Sequence, residues 1–353
     1  MSNMSDKKAS RKKKYNANKY VKKEYKTLLT GTSYVIAPEH IDYLETRFDS
    51  VNEKFLDNLK YALKNFDSIS LSFRYTKSLK VTPLLVIYSI IDTYGKNKKI
   101  NVILSQVSDM VNTAITSTGN FESAEHRFDI LKRKEGLPVI QGNNAEVIQL
   151  QKKIIDTLVE LYLDKTNEKF TDRRFEIGIA IQETLDNVGR HAYPNKEHHE
   201  RLWWFWCGMI DGKLYIAIYD MGKGIPNTIL NSSIDYMKLI EQNYKNYDLM
   251  KNKLIDVPLP TVSAHIRETI SDEVLIRSAM SSEISTTTKE KHGKGSSRIK
   301  ALIKNEKESF LLIFSCKGLY QYSLYDETNN QNGGEIAISL SNSLCGTLIQ
   351  WSL

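Results

Sequence analysis

Three residues with side chains suited to chemistry recur at intervals of four in the middle of the chain: Glu183, Asn187 and His191. Residues four apart share one face of an α-helix, because a turn takes about 3.6 residues. The segment Asp172–Tyr193 has helical apolar periodicity, and Thr171 is suited to cap its N-terminus. The pattern predicts a helix whose stripe of carboxylate, amide and imidazole could bind a metal ion, position a water molecule and accept its proton. The apolar positions expected to face the core are Phe175, Ile177, Ile179, Ile181, Leu185 and Val188.

Three glycine-containing segments follow this helix, and the first two have the features of a ligand-binding turn. Asp220–Ile225 comes directly after an apolar strand, so its carboxylate would stand at a strand end, free to accept a hydrogen bond. Gly293–Gly295 precedes a helical stretch, and the N–H groups at a helix start attract anions such as phosphate. Gly346–Thr347 lies in the last predicted strand. The candidate binding residues in these segments are Asp220, Gly222, Gly224, Ile225, Gly293, Lys294, Gly295 and Thr347.

The elements around these segments predict a layered α/β structure in the second half of the chain. Leu202–Ile210 and Leu214–Asp220 have strand patterns, and Asp211-Gly212 between them is a strong hairpin signal. Alternate residues of Trp203–Trp206 should face opposite sides of the sheet. Further strands are predicted at Phe310–Cys316, Leu319–Tyr325, Glu335–Leu340 and Thr347–Trp351, with a turn at Lys317-Gly318 and helices at Ala145–Leu163 and Arg298–Asn305.

The first half has its own α/β pattern, and we place the domain boundary near Asn143. Ile69, Leu71 and Phe73 alternate as in a strand, and Ile100–Leu104 is a second apolar strand. Between them, Thr82-Pro83 predicts the start of a helix that continues through Leu84–Tyr94 and ends at Gly95. Strand, helix and strand in this order indicate a βαβ unit. A further helix is predicted at Ile41–Leu63, and Val107–Asn144 has a less regular pattern.

The positive charge of the chain is concentrated in its first 30 residues, which hold ten Lys or Arg against two acidic residues and account for more than the whole net charge of +7. Such a segment is expected to be a flexible tail. It can act as an arm for nucleic acid, with Tyr15, Tyr20 and Tyr25 as stacking groups, or only keep the protein in solution. Both interpretations stay open.

Several classes of protein are disfavoured by the sequence. No apolar run approaches the roughly 18 residues that a membrane helix needs, no signal-peptide segment is present, and the three cysteines lack a paired spacing. We therefore expect a cytoplasmic protein without a membrane partner. Phosphate-loop, zinc-protease and nucleophile-elbow motifs are missing as well.

The four site segments together resemble, in the same order, the motifs of the GHKL superfamily of ATP-binding domains, named for DNA gyrase, heat-shock chaperones, histidine kinases and MutL. They are Glu183-x-x-x-Asn187-x-x-x-His191-Ala192, Asp220-x-Gly222-x-Gly224-Ile225, Gly293-x-Gly295 and Gly346-Thr347. The resemblance covers residues 144–353 and implies a Bergerat-type α/β sandwich, with a mixed, mostly antiparallel sheet covered by helices. It also implies that residues 227–292 form a long lid over ATP and Mg²⁺.

The resemblance assigns a role to each candidate residue. Asn187 would ligate Mg²⁺, with His191 in a supporting position, and Glu183 would be the general base for the attacking water. Asp220 and Thr347 would bind the adenine edge. The glycines would let the backbone approach the base or the phosphates, Ile225 would follow the adenine turn, and Lys294 would add positive charge near the phosphates.

Three functions remain open at this stage. The first is a regulatory ATPase in bacterial signalling or defence that hydrolyses ATP to close the lid and switch a protein partner. The second is a serine/threonine kinase, because Asn187–Pro194 resembles the anti-sigma kinases and the first half weakly resembles their STAS substrates, with Ser78 and Thr82 near the phosphorylated position. The third is an ATP-gated module that binds nucleic acid or protein without turnover. A second copy of the chain is a further candidate partner, while a sensor histidine kinase is disfavoured because no phosphoacceptor histidine precedes the ATP motifs and His265 lies between them.

Overall fold

The computed structural model describes residues 33–42, 49–163, 166–167, 170–231, 264, 266–281, 295–303, 309–326, 331–332 and 334–353. The predicted basic tail, most of the predicted lid, and the residues Gly293, Lys294 and His265 lie outside this part of the chain. The described part is a mixed α/β structure that contains a three-stranded parallel sheet and a five-stranded antiparallel sheet.

The parallel sheet belongs to the first half of the chain. It consists of β1 (Tyr34–Ile36), β3 (Ser68–Ser72) and β5 (Lys99–Ile103), in this spatial order. Helix α1 (Asp49–Asn65) connects β1 with β3, and α2 (Val81–Tyr94) connects β3 with β5. The predicted βαβ unit is confirmed, because β3 and β5 pair in parallel. Two short strands, β2 (His40–Ile41) and β4 (Ser78–Leu79), pair with each other.

Two predictions for the first half need correction. Ile41, expected to begin a helix, lies in the strand β2 instead, and α1 begins at Asp49. The region predicted to be irregular contains α3 (Asp109–Ser117) and α4 (Ala124–Arg133). Both helices begin after a serine whose side chain accepts a backbone hydrogen bond, Ser108 for α3 and Ser123 for α4. These local N-cap signals were available in the sequence.

Helix α2 is almost wholly buried. Every residue from Thr82 to Ile91 is buried, because the helix contacts α1 and two strands of the antiparallel sheet and shares a hydrophobic core with strands of the parallel sheet. A helix that is apolar around its whole circumference is expected in such a position. Its first residue is Val81, and Lys80 in the N-cap position makes no side-chain cap. The sequence predicted Pro83 as the first residue of this helix, but it is the third.

The antiparallel sheet forms the second half and has the spatial order β6-β7-β8-β12-β9. Its strands are β6 (Ile140–Asn143), β7 (Leu202–Ile210), β8 (Lys213–Asp220), β9 (Phe310–Tyr322) and β12 (Glu335–Ser352). The predicted hairpin is confirmed: β7 pairs with β8, and Asp211 and Gly212 both have positive φ, as a type I′ turn requires. A separate short pair joins β10 (Tyr325–Asp326) and β11 (Gln331–Asn332).

The last two long strands differ from the prediction. Lys317-Gly318 is not a turn, since β9 continues through it, and β12 continues through residues 341–346. The two strands pair along almost their whole length, with register shifts between Ser339 and Leu344 and between Leu344 and Thr347. Such bulges bend a ladder without ending it. The local turn signals therefore mark bulges, with Cys316 and Gly346 at positive φ.

Helices cover one face of the antiparallel sheet. They include α5 (Val147–Tyr162), α6 (Phe170–Asn187) and α9 (Gly295–Lys300). The predicted central helix is shorter than expected: α6 already includes Thr171, ends at Asn187 and continues as a π-turn, Val188–Ala192. Phe175, expected in the core, is 68% exposed, whereas Ile177, Ile181, Leu185 and Val188 are buried.

The other face of the antiparallel sheet packs against α1 and α2 of the first half. The alternation predicted for the tryptophan-rich strand is confirmed: Trp203 and Phe205 lie in the core beneath α5 and α6, while Trp204 and Trp206 lie in the core shared with the first half. Within the described residues, no helix is both long enough and apolar enough to cross a membrane.

Candidate functional site

Asp220 is the last residue of β8 and is only 4% exposed. It pairs with Trp203 on β7 and with Thr347 on β12, so it stands between two neighbouring strands. Burial raises the pKa of its carboxyl group to about 7, although hydrogen bonds from the backbones of Gly222 and Thr347 act in the opposite direction. A carboxylate that is costly to ionise at this strand end is a candidate functional group.

The turn after Asp220 is held by hydrogen bonds from its own backbone N–H groups. Gly222 N–H donates to Asp220 Oδ1 at 2.8 Å, and Ile225 N–H donates to the Ser315 hydroxyl at 2.9 Å. Gly224 has a φ of +80°, and a Cβ there would lie 2.8 Å from Ser315 Oγ. The turn thus needs glycine at position 224 both for its backbone angle and for close contact with β9.

The end of the π-turn packs directly on this segment. Lys223 N–H donates to the Ala192 carbonyl at 2.9 Å, and Met221 N–H donates to the Tyr193 hydroxyl at 2.8 Å. A Cβ at Gly222 would lie 2.4 Å from the Ala192 carbonyl oxygen. The C-terminal end of the segment Glu183–Ala192 is therefore in contact with the turn that follows Asp220.

Gly189 in the π-turn lies against the side chain of Asn144. A Cβ at this position would lie 2.4 Å from Asn144 Nδ2, which donates to the Leu185 carbonyl at 3.1 Å. A larger residue at position 189 would therefore have to displace the asparagine side chain and its hydrogen bond. π-Turns inside helices are rare and are common at functional sites.

Gly346 and Thr347 lie on the other side of Asp220. A Cβ at Gly346, whose φ is +87°, would overlap the Asp220 carbonyl oxygen at 1.8 Å. The Thr347 side chain lies 3.0 Å from Ser315 Oγ. These contacts bring the Gly346-Thr347 segment against the backbone of Asp220 and the side chain of Ser315.

The described part of the glycine-rich segment contacts Glu183. A Cβ at Gly295 would lie 2.6 Å from Glu183 Oε1, and Arg298 Nη1 donates to Glu183 Oε2 at 3.0 Å. Glu183 is thus ion-paired, and its side chain is 14% exposed. This ion pair was not predicted, and it opposes the assignment of Glu183 as a base, because Arg298 and Gly295 lie against the two carboxylate oxygens that water would have to reach.

Asn187 and His191 occupy the end of the same helical segment. Asn187 is the last residue of α6 and is half-buried, while His191 lies in the π-turn and is exposed. Neighbouring atoms nevertheless crowd the imidazole, and this desolvation, together with Arg190, lowers the pKa of His191. The imidazole is therefore neutral at pH 7. Among the described residues, no cluster of three or more His, Cys, Asp or Glu side chains is arranged to hold a metal ion.

Parts of the predicted lid pack against the site. Ile225–Thr228 forms α7, and Asp272–Ala279 forms α8. Arg267 bridges the two, since it donates to Asn227 Oδ1 at 2.8 Å and pairs with Asp272 Oδ1 at 2.7 Å. Asp272 also accepts a hydrogen bond from the backbone of Lys317 at 2.8 Å. The described ends of this region are therefore anchored to β9.

Four residues that shape the site had no role in the sequence analysis: Asn144, Tyr193, Arg298 and Ser315. Tyr193 is the only one with a sequence signal, because it directly follows the predicted motif at Ala192. The others are brought in by chain segments 41 to 115 residues away from their partners.

Neither protein-family models nor curated proteins give a match to this sequence.

Proposed function

We propose that the chain binds ATP with Mg²⁺ in a Bergerat-type site of the GHKL kind. The observation that carries the proposal is the set of contacts among the four separate segments: Ala192 with Gly222, Asp220 with Thr347, and Gly295 with Glu183. Contact between segments so far apart in sequence is what one ligand site requires. The antiparallel sheet with helices on the face that carries Asp220 supports the same proposal.

Two features of the described residues support an adenine nucleotide as the ligand. Asp220 is a buried acceptor at a strand end, and Gly222 and Gly224 in the adjacent turn have no room for a Cβ. The carboxylate would accept a hydrogen bond from the 6-amino group of adenine, and Asn187 would offer an uncharged oxygen to the ion. Mg²⁺, when bound, offsets the negative charge of the phosphates.

Hydrolysis would require the ion pair between Glu183 and Arg298 to open. As long as Arg298 and Gly295 lie against the two carboxylate oxygens of Glu183, a water molecule has little room to approach them. We therefore propose a regulated ATPase in which α9 must move away from Glu183 before water is activated. The same ion pair favours the third function named above, an ATP-gated binding module with little turnover.

Nucleotide binding is tested by calorimetry with ATP and Mg²⁺ on the full chain. Incubation with labelled ATP then distinguishes the candidate functions. Free labelled phosphate would indicate an ATPase, and labelled protein would indicate a kinase. ATP binding without either product would indicate an ATP-gated binding module. The absence of ATP binding would overturn the proposal as a whole.

Variants at the ion pair test the hydrolytic step. Glu183→Gln should bind ATP but release no phosphate, whereas Arg298→Met should release phosphate faster than the wild type, because the Glu183 carboxylate is then free to accept a proton from water. Lys300→Met is the matched control, since Lys300 lies on the same helix but pairs with Glu335. Wild-type turnover in Glu183→Gln would exclude Glu183 as the base.

A further inference from the structure

A second group of polar side chains lies at the carboxyl ends of the parallel strands. The loops that follow β1, β3 and β5 are hydrogen-bonded to one another there. The Thr76 hydroxyl donates to the Pro38 carbonyl at 2.8 Å, and the Ser105 hydroxyl donates to the Thr76 carbonyl at 2.8 Å. Helix α2 begins beside this edge, and its other end contacts the candidate nucleotide site through Thr93. Ligands of open α/β sheets bind outside the carboxyl ends of the strands.

Ser78 and His40 are in hydrogen-bond contact at this edge. The short strands β2 and β4 pair in parallel with His40 opposite Ser78, and Ser78 Oγ lies 2.8 Å from His40 Nδ1. A serine hydroxyl becomes a nucleophile when a neighbouring base can take its proton. Both side chains are partly exposed, so a ligand from solution can reach them.

Glu39 determines which nitrogen of His40 carries the proton. Its Oε1 lies 3.8 Å from His40 Nε2, and Lys77 pairs with the same carboxylate. Because a carboxylate attracts an N–H group, the proton of the neutral imidazole lies on Nε2, and Nδ1 accepts the hydrogen bond that Ser78 donates. A hydroxyl, a base and a group that orients the base are the three parts of an activated serine.

Apolar side chains lie beside this group. Helix α3 contacts β4, and the loop that precedes α3 is bound to Thr76 through Ser105. Exposed apolar side chains next to a few convergent polar groups are typical of sites for apolar ligands. The loop and the first turn of α3 carry three such side chains, which are 38%, 53% and 75% exposed: Leu104, Val107 and Met110.

We infer that Ser78 is the nucleophile of a second site, which hydrolyses esters of apolar carboxylic acids with His40 as the base. Ser78 Oγ attacks the carbonyl carbon while its proton moves to His40 Nδ1. The bond to the alcohol oxygen then breaks, and that oxygen takes the proton. Water attacks the acyl-serine in the same manner, which releases the carboxylic acid and returns a proton to Ser78.

The start of α2 supports this chemistry. Negative charge develops on the carbonyl oxygen during the attack, and backbone N–H groups at a helix start stabilise such charge. The helix begins at Val81, three residues after Ser78, and Lys80 in the N-cap position makes no side-chain cap. No part of this second site belongs to the proposed nucleotide site, so each can be tested without the other.

The experiment treats the full chain, without ATP, with a fluorophosphonate probe. An activated serine forms an O–P bond to the probe, fluoride leaves, and the proton of the hydroxyl passes to the base. We expect mass spectrometry of the digested wild type to find the label on Ser78, and no label after unfolding in urea. The folded protein should also release p-nitrophenol from p-nitrophenyl butyrate, and Ser78→Ala should abolish that release.

Variants at His40 separate a base from a structural residue. His40→Ala should slow the labelling of Ser78 about 100-fold, since general-base catalysis contributes at least this factor. Added imidazole should restore part of the rate, which a merely structural role would not allow. His126→Ala is the matched control, because His126 is an exposed histidine on α4.

The label on the wild type decides the inference even if a variant fails to fold. The inference is wrong if the folded wild type takes no label, takes it on another residue, or labels Ser78 equally fast with His40 replaced. A labelled Ser78 without release of p-nitrophenol would overturn the assignment to esters. Absence of ATP binding, in contrast, would refute only the proposed nucleotide site.

Discussion

At the scale of single residues, Asp220 combines a location suited to ligand binding with an environment that destabilises its charge. Burial raises the pKa of the carboxyl group from 3.8 to about 7, so an ionised Asp220 lowers the stability of the unliganded fold at neutral pH. Residues that cost stability are expected at functional sites, because selection there acts on binding. A residue with only a structural role would be expected to stabilise the fold.

Asp220→Asn should therefore stabilise the unliganded protein and impair nucleotide binding. The folded wild type holds a proton that the unfolded chain loses between pH 3.8 and about 7, so its free energy of unfolding should fall as the pH rises through this window. Asp220→Asn should remove this decline and raise the free energy of unfolding at pH 8 by about 2–4 kcal/mol. Urea unfolding between pH 4 and 8 measures both effects.

Asp129→Asn is the control for that series. The side chain of Lys132 lowers the pKa of the exposed Asp129, so its amide variant should not stabilise the protein at pH 8. ATP binding by Asp220→Asn should weaken at least tenfold, because the amide places a donor where the adenine amino group needs an acceptor. Unchanged ATP affinity would contradict the role given to Asp220.

At the scale of elements, the decisive feature is the contact between the π-turn Val188–Ala192 and the turn after β8. The irregular end of α6 brings the Ala192 carbonyl to the N–H group of Lys223 and leaves room only for glycine at position 222. Regular α-helix through Ala192, as predicted, would not be expected to place this carbonyl in the same position. The helix end and the turn therefore form one rigid unit.

Gly222→Ala tests this unit. The added Cβ would lie 2.4 Å from a backbone oxygen, which cannot rotate away as a side chain would, so we expect a loss of about 1–3 kcal/mol in stability and weaker ATP binding. Thermal unfolding and calorimetry provide the measurements. Gly334→Ala is the control, because no neighbour lies within 4 Å of its Cβ position. Equal behaviour of the two variants would show that the contact is not needed.

At the scale of the whole molecule, the two halves share a core. The side of the antiparallel sheet that contains Trp204 and Trp206 is covered by α1 and α2. A buried network crosses the contact: Arg127 pairs with Asp92 at 2.6 Å, and Trp204 Nε1–H donates to the same carboxylate at 2.8 Å. Burial raises the pKa of Asp92, against the effect of Arg127. The first half also contacts the candidate site, where Thr93 donates to Met221 Sδ at 3.6 Å.

Arg127→Met should destabilise both halves together. Without the guanidinium, Asp92 remains buried with too few partners, which typically costs about 3–5 kcal/mol. Because the core is shared, tryptophan fluorescence and amide exchange in β3 should report one common unfolding transition. Lys132→Met, at an exposed position on the same helix α4, should have little effect. Two separate transitions would show that the halves fold independently.

Much of the fold was predictable because its signals are local. The hairpin at Asp211-Gly212, the βαβ unit and the alternation of Trp203–Trp206 depend on neighbouring residues, and the structure confirms all three. Two predictions were wrong: Phe175 was expected in the core but is exposed, and Lys317-Gly318 was expected to be a turn but lies within β9. In both cases the outcome depends on which distant element covers the segment or pairs with it.

For the candidate site, the sequence determined which segments carry suitable chemistry, and the roles assigned to their residues stay predictions. Only the tertiary structure decided how these segments meet, with Ser315 beneath a turn 90 residues away and Arg298 on a carboxylate 115 residues away. Backbone periodicity encodes which face a side chain takes, but a hydrogen bond between remote segments depends on how whole elements pack. Hence the segments that meet at the site could be predicted from the sequence, whereas the hydrogen bonds and the ion pair between them could not.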